Sequence, residues 1–211
     1  SLRRQRQMCI RDRMKTVYRV GLGHRYGRSM QTIAGIHYNF SLPDDFWRVL
    51  QAQSGNQQSL QEFKTERYFG LIRNFRRNFW LLIYLFGASP AVCSCFVKNR
   101  AHKLQPFPAA EQTMYLPYAT SLRMGDLGYQ SDAQKTLVVN YNNLSDYLKT
   151  LCGAITQSHP AYEQIGVKDS DGNYQQLNSS LLQIENEFYS SIRPKRTTER
   201  GETALQALRL R

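Results

Sequence analysis

The chain has 211 residues, 41% of them hydrophobic. That suits one domain or a large part of a bigger one, and excludes wholesale disorder. Lys and Arg number 28 against 16 Asp and Glu, a net charge of +12, but the excess is uneven: residues 1–13 hold five arginines against one aspartate, and residues 193–211 hold six basic against two acidic side chains. The middle carries a modest surplus, enough for phosphate or carboxylate ligands without requiring a nucleic-acid partner. The longest apolar stretch, 79–88, is about ten residues, against the roughly 20 that cross a bilayer. The basic N-terminus lacks the apolar core of a signal peptide. Cys9, Cys93, Cys95 and Cys152 form no CxxC pair. Cys93 and Cys95 lie in an apolar run and read as small buried thiols, which suits a reducing, cytoplasmic setting.

Residues 1–13, SLRRQRQMCIRDR, show no helical or strand period and read as a non-native basic leader outside the fold; the remaining 14–211 read as one unit. Residues 14–27 read as a helix with Val17, Val20 and Leu22 apolar. The run of Ile33, Ile36, Tyr38 and Phe40 includes a period of two and predicts a strand ended by Pro43. Asp44 is placed to cap a helix over 44–50. After a Gln/Ser/Gly-rich loop, residues 60–86 predict a long helix striped by Phe63, Tyr68, Leu71, Ile72, Phe75, Phe79, Leu82 and Ile83. Residues 97–112 read as an exposed loop. Residues 142–155 form an amphipathic helix with Leu144, Tyr147, Leu148 and Leu151 on one face. Asp169, Asp171 and Gly172 mark a turn between short strands, and 178–189 is a compact segment. Strands and long helices in irregular order indicate α+β.

Five segments carry a specific likeness: YRVGLGHRYG (18–27), MQTIAGIHYNFSLP (30–43), YLFGASPAVCSCF (84–96), YLPYATSLRMGDLGY (115–129) and LLQIENEFYSSIRPKR (181–196). In this order they resemble the central region of bacterial glutamate–cysteine ligase of the gammaproteobacterial type. The resemblance implies an internal segment of a glutamine-synthetase-like catalytic domain, a curved antiparallel sheet backed by helices and truncated at both ends. It also implies ligation of glutamate, through its γ-carboxylate, to cysteine via a γ-glutamyl phosphate, with ATP as substrate, Mg²⁺ as cofactor, and a monomeric parent enzyme with neither membrane nor nucleic-acid partner.

By default His37 is a satisfied core residue of a strand, Arg19 and Arg123 are solvated charges, and Tyr18, Tyr129 and Tyr189 are core or surface tyrosines. The resemblance assigns them otherwise. His37 matches a magnesium ligand, although this hard ion prefers oxygen. Arg123 matches the residue that binds the substrate glutamate, a task suited to a planar guanidinium. Arg19 matches a position near the ATP phosphates. Tyr18, Tyr129 and Tyr189 match the cysteine pocket. Asp126, Glu185 and Glu187 receive no catalytic role; the two glutamates read as ion-pair partners for Arg193 or Lys195.

The chain departs from the family pattern in lacking the paired-glutamate strand upstream and the metal-binding strand downstream. One histidine cannot hold several magnesium ions. The chain by itself is therefore expected to be inactive, with unpaired edges and an exposed core face. The competing class is a basic nucleic-acid-binding module, supported by net charge alone.

Overall fold

The computed structural model describes residues 2–32, 37–87, 90–98, 101–122, 127 and 132–195, with side chains from Asp12 onward except at Asp132. Helix α1 spans Leu2–Tyr26 and is followed by a 3-10 turn at Arg28–Thr32. It begins twelve residues earlier than the apolar period suggests, because Leu, Arg, Gln and Met favour helix without needing a stripe to bury. The strand expected near 31–42 is absent from the described part, residues 37–43, which has no regular structure. Tyr38 is 87% exposed. A period-two run becomes a strand only where a neighbour takes its backbone hydrogen bonds. Ile33 and Ile36 lie outside the described residues.

Helix α2, Asp44–Ser54, follows Pro43, and Asp44 makes no capping hydrogen bond. Asp44 instead accepts from Lys64 Nζ at 2.6 Å, tying α2 to the next helix. Gly55, at φ 66°, closes α2 in the left-handed region, where a side chain would be strained. Helix α3 is Leu60–Phe86, as its stripe predicts, and it starts with a capping box of Ser59 and Glu62. Trp47 packs on Tyr68 with ring centroids 4.8 Å apart, and the Tyr68 hydroxyl accepts from the Leu42 N–H. Only the first half of α3 is covered, through Phe63, Phe69 and Ile72. Beyond it Trp80, Tyr84, Leu85 and Phe86 stand exposed, the open apolar face expected of this chain.

A small antiparallel sheet follows, of β1 (Ala91–Cys93), β2 (Gln105–Pro106) and β3 (Thr113–Tyr115) in the order β1-β3-β2. Part of the expected loop 97–112 thus pairs as β2. The four-residue helix α4, Ser94–Val97, leaves β1 directly. Cys93 and Cys95 are exposed and joined to each other as a disulfide, where the apolar run suggests buried thiols. The edge position of β1 leaves its alternate side chains uncovered.

Helices α5 (Asp132–Lys135), α6 (Leu144–Thr156) and α7 (Pro160–Ile165) precede an irregular stretch that ends in a 3-10 turn at Glu185–Glu187. Asn143 caps α6 by accepting from the Asp146 N–H. The turn at 169–173 is built on Asp169 Oδ1, which accepts from the N–H groups of Asp171 and Asn173. It is flanked by a single bridge, Lys168 to Tyr174, rather than by strands. The main core joins Phe69 and Ile72 of α3 to Tyr147, Leu151 and Ala154 of α6, with Tyr162, Leu181 and Leu182. Helices together with a small antiparallel sheet make the described part α+β.

Candidate functional site

Helix α1 carries Tyr18, Leu22, Arg25 and Tyr26 on one face, at spacings of four, seven and eight. This face meets the stretch 176–189. Leu22, Tyr26 and Met30 form a second buried cluster, and Tyr18, Phe96 and Tyr189 pack against it half-buried. Two predicted pocket tyrosines, from opposite ends of the described chain, are thereby brought together. Burial pushes the Tyr18 hydroxyl well above the usual phenol range; Tyr189, which is also hydrogen-bonded to it, and Glu187 push it further. Tyr18 therefore stays protonated and works as a hydrogen-bonding group, not as a base.

Behind the tyrosines lies a polar network whose members the sequence reading left out or assigned elsewhere. Arg25 and Glu187 form an ion pair at 3.1 Å with both side chains fully buried. Arg25 also donates to Gln176 Oε1 at 3.0 Å and to the Asn178 carbonyl at 2.7 Å, and its guanidinium lies 4.0 Å from the Tyr162 ring centroid. Glu187 Oε1 also accepts from the Tyr26 hydroxyl at 2.9 Å, and Oε2 accepts from the Gln183 N–H at 2.6 Å. Gln134 of α5 donates to the Tyr26 oxygen and to the Glu187 carbonyl. Burial raises the Glu187 carboxyl, while Arg25, the Gln183 N–H and the Tyr26 hydroxyl pull the other way. With both oxygens accepting and a guanidinium alongside, the geometry fits the ionised form.

Glu187 thus pairs with Arg25, not with Arg193 or Lys195. Arg193 donates to the Asn186 and Phe188 carbonyls, and Lys195 donates to Asn39 Oδ1 at 3.0 Å. Arg25 could have been found from its spacing to Tyr18, since it lies two turns along the same face. Its partner could not, because the pairing crosses nearly the whole described chain. The approach of 176–189 to α1 depends on Gly21: a Cβ there would overlap the Gln183 side-chain amide, with Gln183 Cδ at 2.7 Å.

Arg19 is exposed and points away from this face. It lines an open groove of about 510 Å³ with Thr16, Val20, Gly23, His24, Arg28 and Gln31. Gln31 Nε2 donates to the Arg19 carbonyl at 2.9 Å. The two arginines make this a concave, cationic surface of the kind that takes phosphate oxygens. His37 is exposed in the irregular segment after the 3-10 turn. No three His, Cys, Asp or Glu side chains gather among the described residues. Arg123, Asp126 and Tyr129 lie outside the described residues. No described helix is long and apolar enough to cross a membrane.

The sequence profile of the glutamate–cysteine ligase family matches residues 8–211. The chain is 65% identical over 198 residues to the glutamate–cysteine ligase of Saccharophagus degradans, and that alignment covers 94% of this chain and 37% of the relative. It is 59% identical over 203 residues to that of Alcanivorax borkumensis, covering 94% and 38%. Among solved structures it is similar to glutamate–cysteine ligase of Francisella tularensis in complex with AMP, at 44% identity and a TM-score of 0.78, covering 93% of this chain and 37% of that one. The chain therefore spans a little over a third of the length of these relatives. None of them is a nucleic-acid-binding protein by name. With the profile covering nearly all of its length, this chain belongs to the glutamate–cysteine ligase family.

Proposed function

We propose that this chain forms the amino-acid-pocket part of an ATP-dependent ligase that joins the γ-carboxylate of glutamate to the amine of cysteine, giving γ-glutamylcysteine, the first step of glutathione biosynthesis. The observation that carries the reading is the meeting of Tyr18 and Tyr189 over a buried cluster. Two phenol hydroxyls beside aromatic faces suit a small amino acid, holding its carboxylate while contacting its thiol-bearing side chain. The family likeness adds Tyr129 to the cysteine-binding residues and gives Arg123 the glutamate carboxylate, a role that suits a planar guanidinium.

A free carboxylate is a poor acyl donor, so the γ-carboxylate is first phosphorylated by ATP; the cysteine amine then displaces phosphate. Arg19, with Arg28 in the same groove, offsets phosphate charge. The AMP complex of the Francisella relative supports a nucleotide substrate. His37 supplies at most one ligand to Mg²⁺, so no step is assigned to the ion from these residues. The whole catalytic domain is a curved antiparallel sheet backed by helices, of the glutamine-synthetase kind, and this chain reacts only as part of it.

The test is a chimaera in which this chain replaces its matching stretch in the Saccharophagus degradans ligase. The chimaera should form γ-glutamylcysteine only with ATP, glutamate and cysteine all present. A folded but inactive chimaera beside an active parent overturns the assignment. Turnover by the isolated chain overturns the claim that it needs the rest of the domain.

A further inference from the structure

We propose that Arg25 and Glu187 are a positioning pair that sets the distance and rotation between the two tyrosines of the cysteine pocket, and so the enzyme's affinity for cysteine. This rests on the pocket reading above. The pair sits beside both tyrosines in sequence and in space. Arg25 follows Tyr18 by two turns on the same face of α1, and Glu187 precedes Tyr189 by two residues. It is therefore a fully buried, directional link between the two elements that carry the pocket.

The pair is built for direction. Arg25 spends its guanidinium on three different acceptors, Gln176 Oε1, Glu187 Oε1 and the Asn178 carbonyl. Glu187 accepts from Arg25, Tyr26 and the Gln183 N–H, using both oxygens. Gln183 in turn donates to the Tyr18 carbonyl at 3.4 Å, bringing the network back to the pocket residue itself. Gln176 is fully buried and donates to the Tyr162 and Gly166 carbonyls, which anchors the far end.

A purely structural role is a weaker explanation. A buried ion pair is often no more stabilising than apolar side chains of the same volume, because desolvation offsets the attraction. An apolar contact would hold α1 against 176–189 but would permit sliding and rotation. The hydrogen bonds fix one register. Positional error matters in such a pocket, since a misplacement of about 1 Å can cost on the order of a hundredfold in rate.

The experiment uses the active chimaera with Glu187→Gln, Glu187→Asp, Arg25→Lys, Tyr18→Phe and Tyr189→Phe, reading KM for each substrate, kcat and the melting temperature. Glu187→Gln should raise the cysteine KM about tenfold, with ATP and glutamate KM within about twofold, and Glu187→Asp should restore part of the loss. A uniform change in all three KM values, or an unchanged cysteine KM, overturns the proposal. If Glu187→Gln does not fold, Arg25→Lys decides by the same criteria, because it keeps the charge and loses the planar fork. The tyrosine variants separate the two readings. If they leave the cysteine KM unchanged, the pocket reading has failed. If they raise it and the pair variants do not, only the positioning proposal has failed.

Discussion

The α3–α6 core and the α1–189 contact lie side by side and are held by different physics. The first is apolar: Phe69 meets Tyr147 with ring centroids 5.8 Å apart, and Leu151, Ala154 and Leu182 fill around them. Such packing tolerates exchange of shapes of similar volume. The second is threaded by a buried ion pair and by the side-chain amides of Gln134, Gln176 and Gln183. Those contacts are directional and fix one register. Strength is non-directional in the core, and geometry is specified where Tyr18 and Tyr189 meet.

The comparison can be tested by substitution. Glu187→Ala should lose about 3–5 kcal/mol in urea unfolding, because it leaves the buried Arg25 charge with neutral acceptors only, Gln176 Oε1 and the Asn178 carbonyl. Replacing both partners, Arg25→Met with Glu187→Leu, should recover most of that stability. A double variant as unstable as the single one would show that the charges themselves hold the fold. Phe69→Ala should lose a similar ~3–5 kcal/mol, while Leu182→Met should lose less than about 1.5 kcal/mol. Equal losses for those two would contradict the tolerant-core description.

Gly21→Ala should destabilise by about 1–3 kcal/mol through overlap with Gln183. It should also disturb the tyrosine contact, visible in the near-ultraviolet circular dichroism. Ser59→Ala at the start of α3, far from either cluster, should cost about 1 kcal/mol and leave that spectrum unchanged.

The smallest effect is a pH dependence at the α2–α3 surface. The hydrogen bond and charge of Lys64 hold the Asp44 carboxyl below its ordinary value of 3.8. A depressed folded value means this contribution is complete above the unfolded value and fades as pH falls through the folded one. The exposed pair should therefore loosen only under acid conditions, and Asp44→Asn should flatten that part of the stability profile. Added salt should weaken the wild-type contribution.

Local pattern determined much of this molecule. The apolar stripe made α3 legible over Leu60–Phe86, because helix signals act within a few residues. The amphipathic face of α6 was legible for the same reason. Family likeness pointed to Tyr18 and Tyr189 separately. Sequence alone could not show that Glu187 turns to Arg25 rather than to its neighbour Arg193, that the 37–43 run lacks a strand partner, or that Cys93 and Cys95 face solvent together. Each of those depends on what lies opposite in space. A charge chooses the partner that compensates its desolvation, and a strand exists only if another chain segment accepts its hydrogen bonds. Tertiary structure alone decided those choices, and with them the meeting of the two tyrosines.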